Sequence, residues 1–355
     1  MAEQRIASLD GLRALSILLV LLGHLDGTLG FPALHLSHVI GDGAHLGVQV
    51  FFVISGFLIT VLLVEERDAQ GSVSLANFYA RRTVRILPAF LAYYAVLVWA
   101  HLAGRIHLSG TDFIVAATYT ANYYPGRSWE IGHLWSLSVE EQFYLLWPLA
   151  VALISSRRVL TTMLACAFAL APLVRGAMHL AIHDPGLRDL EVFPAVADAI
   201  SVGCLVALWR ARLLQSNHYR GLTCSPWIWL AVPLILAANR FDGYTMVDVL
   251  ATPLALALLA ILIEACSRLE RGVAWALLNN RPVVAVGVLS YSLYLWQQPF
   301  LDRHCHAWHC AFPANLALAC GVACISYFAL ERPLLKLRHR LRLRRVPAQP
   351  GTGST

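Results

Sequence analysis

The chain has 355 residues, of which 58% are hydrophobic and only 14% charged, and its mean hydropathy is +0.62. A soluble domain carries roughly 25% charged residues, so these values exclude a soluble enzyme and mark a polytopic membrane protein. The net charge of +6 does not point to nucleic acid, because the arginines behind it crowd at the ends of apolar runs.

Apolar runs predict an all-α transmembrane bundle of about ten spans: 11–30, 46–64, 87–104, 135–154, 159–178, 194–209, 226–239, 248–267, 283–301 and 313–330. The first run follows Arg5, Asp10 and Arg13 and is as long as a span, so it does not read as a cleavable leader. Within it, LDGLRALSILLVLLGHLDG sets Arg13 and His24 eleven residues apart. At about 100° per residue, eleven steps return to within roughly 20° of the start, so both side chains share one helix face. The rise between them is about 16 Å, roughly half a bilayer's hydrocarbon core. An ionisable group inside a span costs several kcal/mol, which makes it a functional candidate; a snorkelling Arg and a packed His are the plainer reading. Asp10 stands one turn before Arg13 and is placed to pair with it, whereas Asp26 points away from His24.

In GAHLGVQVFFVISGFLIT, residues 43–60, Gly47, Ser55 and Gly56 are small residues expected to let helices pack closely. In FYARRTVRILP, residues 78–88, Arg82 and Arg85 lie one turn apart at a predicted cytoplasmic mouth, and Pro88 opens the next span. Forked guanidinium donors suit phosphate, and Arg81 suits plain membrane anchoring. The stretch 111–125 is too short and polar for a span and reads as re-entrant or interfacial. In HLWSLSVEEQFYLLWP, residues 133–148, Ser136, Glu140 and Tyr144 share a face, and Glu140 and Glu141 fall on the outer half of a predicted span, where a carboxylate needs a partner or a task. Either catalysis or bracing of a neighbouring helix would satisfy Glu140. In SYSLYLWQQPF, residues 290–300, Tyr291, Tyr294, Gln297 and Gln298 place polar groups that would line a cavity. HCHAWHC, residues 304–310, lies in a predicted outer loop; its spacing matches no standard metal site, a Cys305–Cys310 bridge suits that compartment better than a metal does, and a solvent-facing loop with free side chains is the plainest reading of the three. The eight cysteines include no CxxC pair.

With the N-terminus inside, 21 of the 27 basic residues fall in cytoplasmic segments, and the first outer loop has none. This positive-inside bias predicts both termini in the cytoplasm. Residues 1–345 read as one transmembrane domain, with 346–355 a disordered tail and the basic stretch before it lying on anionic headgroups.

Six stretches in order, LDGLRALSILLVLLGH, GVQVFFVISGFLI, FYARRTVRILP, HLWSLSVEEQFYLLWP, SYSLYLWQQP and ERP, resemble the acyltransferase-3 family of bacterial membrane O-acyltransferases; they run from residue 9 to 333. The resemblance implies a multi-pass protein of the bacterial inner membrane and an acyl-CoA donor, acetyl-CoA first, arriving from the cytoplasm, with no permanently bound cofactor and no metal. It implies that His24 is the catalytic histidine and that Arg13, Arg82 and Arg85 hold the donor; Glu140 falls on a motif position and is taken as a second catalytic residue. The implied acceptor is a hydroxyl of a cell-surface glycan, lipid-linked sugar or small molecule. Gln297 departs from the pattern, since many relatives carry His there, which removes an acid/base role. No hydrolase-like extracytoplasmic domain, as fused to some relatives, is expected, so the membrane domain or a partner would handle the acceptor. A transporter or flippase of a glycan or lipid-linked intermediate is the competing class, in which polar groups line a path instead of reacting.

Overall fold

A computed structural model describes residues 6–32, 42–188, 190–240 and 245–343. Among these residues every regular element is helical. In order they are α1 (Ala7–Leu25), α2 (Gly43–Gln70), α3 (Leu75–Leu102), α4 (Gly110–Ala117), α5 (Trp129–Gly132), α6 (Leu134–Leu153), α7 (Arg157–Ala181), α8 (Pro185–Arg188) and α9 (Phe193–Gln215). There follow α10 (Asn217–Cys224), α11 (Ala231–Arg240), α12 (Thr245–Ser267), α13 (Val273–Leu278), α14 (Arg281–Trp296), α15 (Ala314–Ser326) and α16 (Arg332–Leu343). The predicted tail 346–355 lies outside the described residues.

Seven of the ten predicted spans are helices long and apolar enough to cross a membrane, and the chain is a multi-pass membrane protein. An eighth, predicted at 226–239, belongs to a pair, Asn217–Cys224 and Pro226–Arg240, bent by 67°. The other two form α6 and α14. The first is made polar by Ser136, Ser138, Glu140, Glu141 and Gln142, and the second has only 16 residues.

Several boundaries differ from the sequence reading. The helix predicted at 46–64 runs over 28 residues, from a cap in which Asp42 accepts from the His45 amide (2.9 Å) to Gly71. Gly71 closes it at φ 74°, a left-handed conformation that side chains with a Cβ resist. Twenty-eight residues span about 42 Å, against a hydrocarbon core of about 30 Å, so α2 is longer than an untilted crossing of that core requires. The span predicted to open at 87 also begins earlier, at Leu75, and the Arg81–Arg85 stretch lies inside the helix. Pro88 is therefore interior and not a boundary. It forfeits one backbone bond, but the buried stripe of Phe78, Ile86, Ala89, Phe90 and Tyr93 continues through it and outweighs the loss. The stretch 111–125 forms α4, which ends at Ala117, and a 3-10 turn at Ala121–Tyr123.

Close helix approaches set the position of α1. A Cβ on Gly287 of α14 would overlap the Asp10 carbonyl, and one on Gly47 of α2 would sit 2.6 Å from the Ser16 carbonyl. Helix α1 is thus wedged between α2 and α14. On the other side of α2, Gly56 and Gly203 let α2 and α9 meet backbone to backbone at Ile200 and Val53. Gly47 and Gly56 thus do the packing expected of them. Some charges away from this centre are paired: Glu264 accepts from Arg210 (3.3 Å), Arg268 (2.8 Å) and the Tyr219 hydroxyl (3.0 Å), and Arg175 meets Asp198 at 2.7 Å. Cys305 and Cys310 are joined as a disulfide, with His309 beside them.

Candidate active site

Helices α1, α2, α3, α6 and α14 enclose a cavity of about 710 Å³, its open mouth included. Its walls bring together Arg13 from α1, Arg82 and Arg85 from α3, and Glu140 from α6. These residues are up to 127 positions apart in the chain, and only the bundle makes them neighbours. Arg13 is paired with Asp10 at 3.2 Å, as the spacing predicted. Neither Arg82 nor Arg85 has an ion-pair partner among the described residues. The Arg82 guanidinium instead lies over the Tyr144 ring, 4.7 Å from its centroid, and 5.8 Å from that of Phe78. A guanidinium stacked on aromatic faces keeps its in-plane donors free for an anion. Arg81 pairs with Glu66 (3.4 Å) and stays outside the cavity lining, in keeping with an anchoring role.

Glu140 accepts hydrogen bonds at one oxygen from the Ser55 and Tyr144 hydroxyls. Ser55 is therefore more than a packing residue; it holds the Glu140 carboxylate from the facing helix. Ser136 Oγ and the Tyr294 hydroxyl are 2.5 Å apart, and Tyr294 also donates to the His133 carbonyl (3.0 Å). Tyr291 and Tyr294 line the cavity, as expected of them. Glu331, from the ERP stretch, is buried and accepts from Ser292 (2.5 Å) and Ser326 (3.4 Å) at the end of a π-helical turn.

His24 stands apart from this cavity. It lies on the same face of α1, about 16 Å further along the axis. Glu140 thus shares the level of the arginines, not that of the histidine. His24 Nδ1 is 2.8 Å from Gln297 Oε1, and its ring lies 5.9 Å from that of Trp129. Gln297 donates to Gln298 Oε1 (3.0 Å), and Gln298 Nε2 donates to the Trp129 carbonyl (2.8 Å). The Trp129 indole N–H returns a bond to the Gln298 carbonyl (2.8 Å). Gln297 therefore faces His24 with Gln298 behind it, and neither lines the large cavity. Nothing in the sequence around Trp129 signalled this contact, because Trp129 and Gln298 are 169 positions apart.

Helices α1 and α14 connect the two places. Tyr291 and Tyr294 open onto the cavity, and Gln297, one turn beyond, touches His24. Arg13 and His24 do the same on α1. The arrangement provides a pocket lined by three arginines and the carboxylates of Glu140 and Glu141 at one level and an imidazole at another, joined by two helix faces.

The family model described as an acyltransferase domain matches residues 6–302. The chain belongs to the acyltransferase-3 family. It is similar to YrhL of Bacillus subtilis (strain 168), named as a candidate peptidoglycan O-acetyltransferase: 27% identical, over 96% of this chain and 56% of the relative. It is also similar to the O-acetyltransferase OatA of Staphylococcus aureus (strain NCTC 8325 / PS 47), 28% identical over 82% of this chain and 50% of the relative. The chain thus spans about half the length of these curated relatives. No solved structure matches it.

Proposed function

We propose that this acyltransferase-3 member is an integral membrane O-acyltransferase of the bacterial cytoplasmic membrane. It moves an acyl group, acetyl first, from acyl-CoA at the cytoplasmic side to a hydroxyl of a cell-surface glycan. Peptidoglycan is the first acceptor to test, since the YrhL name points there. The observation that carries the reading is the cavity, where three arginines converge and two of them, Arg82 and Arg85, form no ion pair among the described residues. Coenzyme A is rich in phosphate, and Arg13, Arg82 and Arg85 are the groups to receive it.

In this reading the pantetheine arm runs along the face shared by Arg13 and His24, and the thioester arrives beside the imidazole. His24 takes the proton of the acceptor hydroxyl as its oxygen attacks the thioester carbonyl carbon. The C–S bond breaks, the acceptor leaves as an ester, and the coenzyme A sulfur takes up the proton. Holding both reactants in one place supplies much of the rate. Glu140, with Ser55 and Tyr144, braces the floor of the donor cavity under Arg82. Residues 1–345 act as one membrane domain, and the arginine bias supports both of its ends lying in the cytoplasm.

The test is thiol release. Purified protein in nanodiscs, given acetyl-CoA and peptidoglycan fragments, is expected to free coenzyme A thiol and form an alkali-labile acetyl ester. His24→Ala is expected to abolish both while still inserting at normal levels. Transfer retained in His24→Ala overturns the assignment of the base, and movement of a glycan with no thioester consumed would favour the transporter class.

A further inference from the structure

The Gln297–Gln298–Trp129 chain fixes which nitrogen of His24 carries a proton. Its far end is the Trp129 carbonyl, which only accepts. Gln298 must therefore turn its amide NH2 toward Trp129, at 2.8 Å, and its oxygen toward Gln297. Gln297 in turn donates through Nε2 at 3.0 Å and presents Oε1, an acceptor, to His24 Nδ1 at 2.8 Å. Reversing either amide would set oxygen against oxygen or N–H against N–H in a buried place, where an unmade hydrogen bond costs roughly 1–3 kcal/mol. Both Gln side chains are buried, at 0% and 2% exposure, so water cannot substitute. The Trp129 indole N–H, bonded to the Gln298 carbonyl, locks the same link from the other side.

We infer that Gln297 and Gln298 are positioning residues that hold neutral His24 as the Nδ1–H tautomer, leaving Nε2 bare as the single basic nitrogen. The inference rests on the proposed role of His24 for its purpose, but its geometry stands without it. The device does for the imidazole what a carboxylate orienter does elsewhere, without adding a charge to the membrane interior. It also gives the short helix α5 a task, since Trp129 is its first residue.

Two readouts separate this inference from the proposed function. The first is the 15N spectrum of histidine-labelled protein in nanodiscs near neutral pH, with the His24 signal assigned by its loss in His24→Ala. The resting protein is expected to show the Nδ1–H tautomer; an Nε2–H tautomer overturns the inference whether or not the protein transfers acyl groups. The second uses variants. Gln297→Leu removes the acceptor and Gln298→Leu frees Gln297 to turn, so each is expected to release the ring to a mixture or to Nε2–H. Gln297→Glu keeps an acceptor at Nδ1 and is expected to restore the proton there. In the transfer assay the two Leu variants are expected to lose tenfold or more in kcat with the KM for acetyl-CoA unchanged. A wild-type tautomer persisting in both Leu variants, or a rise in donor KM with kcat intact, would overturn the positioning role.

Discussion

At the residue scale the proposed function gives the two parts of the candidate site separate jobs, and substitutions should separate them. Arg82 stacks on Tyr144 and has no ion-pair partner among the described residues. In the proposed reading its replacement by Ala removes a donor to phosphate, and a hydrogen bond to a charged group is worth about 1.5–3 kcal/mol. That converts to a rise of about 10- to 100-fold in the KM for acetyl-CoA, because every 1.4 kcal/mol is tenfold. Arg85→Ala should act in the same direction. Arg81→Ala, outside the cavity and paired with Glu66, should leave that KM unchanged. Glu140→Ala leaves the Ser55 and Tyr144 hydroxyls without their shared acceptor and loosens the ring on which Arg82 lies. Donor KM should rise there too, and isothermal titration with a non-hydrolysable acetyl-CoA analogue would check it apart from turnover.

At the scale of elements, close backbone approach decides how the helices sit. A Cβ on Gly287 meets the Asp10 carbonyl, and one on Gly56 meets that of Ile200. Overpacking such contacts costs typically 1–3 kcal/mol. Gly56→Ala should lower the melting temperature of the detergent-solubilised protein. Gly287→Ala should do so as well and also lower turnover, since α1 and α14 carry His24 and Gln297. A melting temperature at the wild-type level in both variants would mean that the helices are not this close. The loop before α6 makes a pH prediction. Burial pushes the Asp112 carboxyl up, but bonds from the amides and hydroxyls of Ser109 and Ser128, at 2.8–3.1 Å, outweigh it and hold the group below its ordinary value. A carboxyl held low in the fold stabilises it fully above the unfolded value of about 3.9 and loses that contribution as pH falls through the folded value. Order in α4 should therefore survive mild acid and fail only below about pH 4. Asp112→Asn should remove that acid dependence, read by hydrogen exchange of residues 109–118.

At the scale of the whole molecule, the disulfide offers a test of sidedness. Cys305 and Cys310 are bonded, and a bridge persists in an oxidising compartment. In intact cells both thiols should react with an impermeant maleimide only after treatment with an impermeant reductant; labelling without reduction would contradict the bridge, and labelling only after lysis would put the loop on the inner side. The family is legible at this scale because it rests on ordered stretches across nearly the whole chain, and the match over residues 6–302 agrees. The span count was less legible. Segments 135–154 and 283–301 fold as helices, but their polar residues serve the interior of the bundle, so composition alone misjudges what they face. Boundaries slipped for a related reason: α2 and α3 continue as helices well past the apolar stretch that betrayed them.

The sequence by itself determined the helical class, the membrane setting, the family, and the shared face of Arg13 and His24, because each follows from composition or from the 3.6-residue period within one helix. It also singled out Arg82 and Arg85 as donors suited to phosphate and Glu140 as a carboxylate in need of a partner or a task. Only the tertiary structure decided which of them meet. Helix spacing says nothing about partners 85 or 273 positions away, as in the Ser55–Glu140 and His24–Gln297 contacts. Those contacts depend on which glycine faces let the helices touch, and that packing put Glu140 with the arginines and gave the histidine a chain of amides.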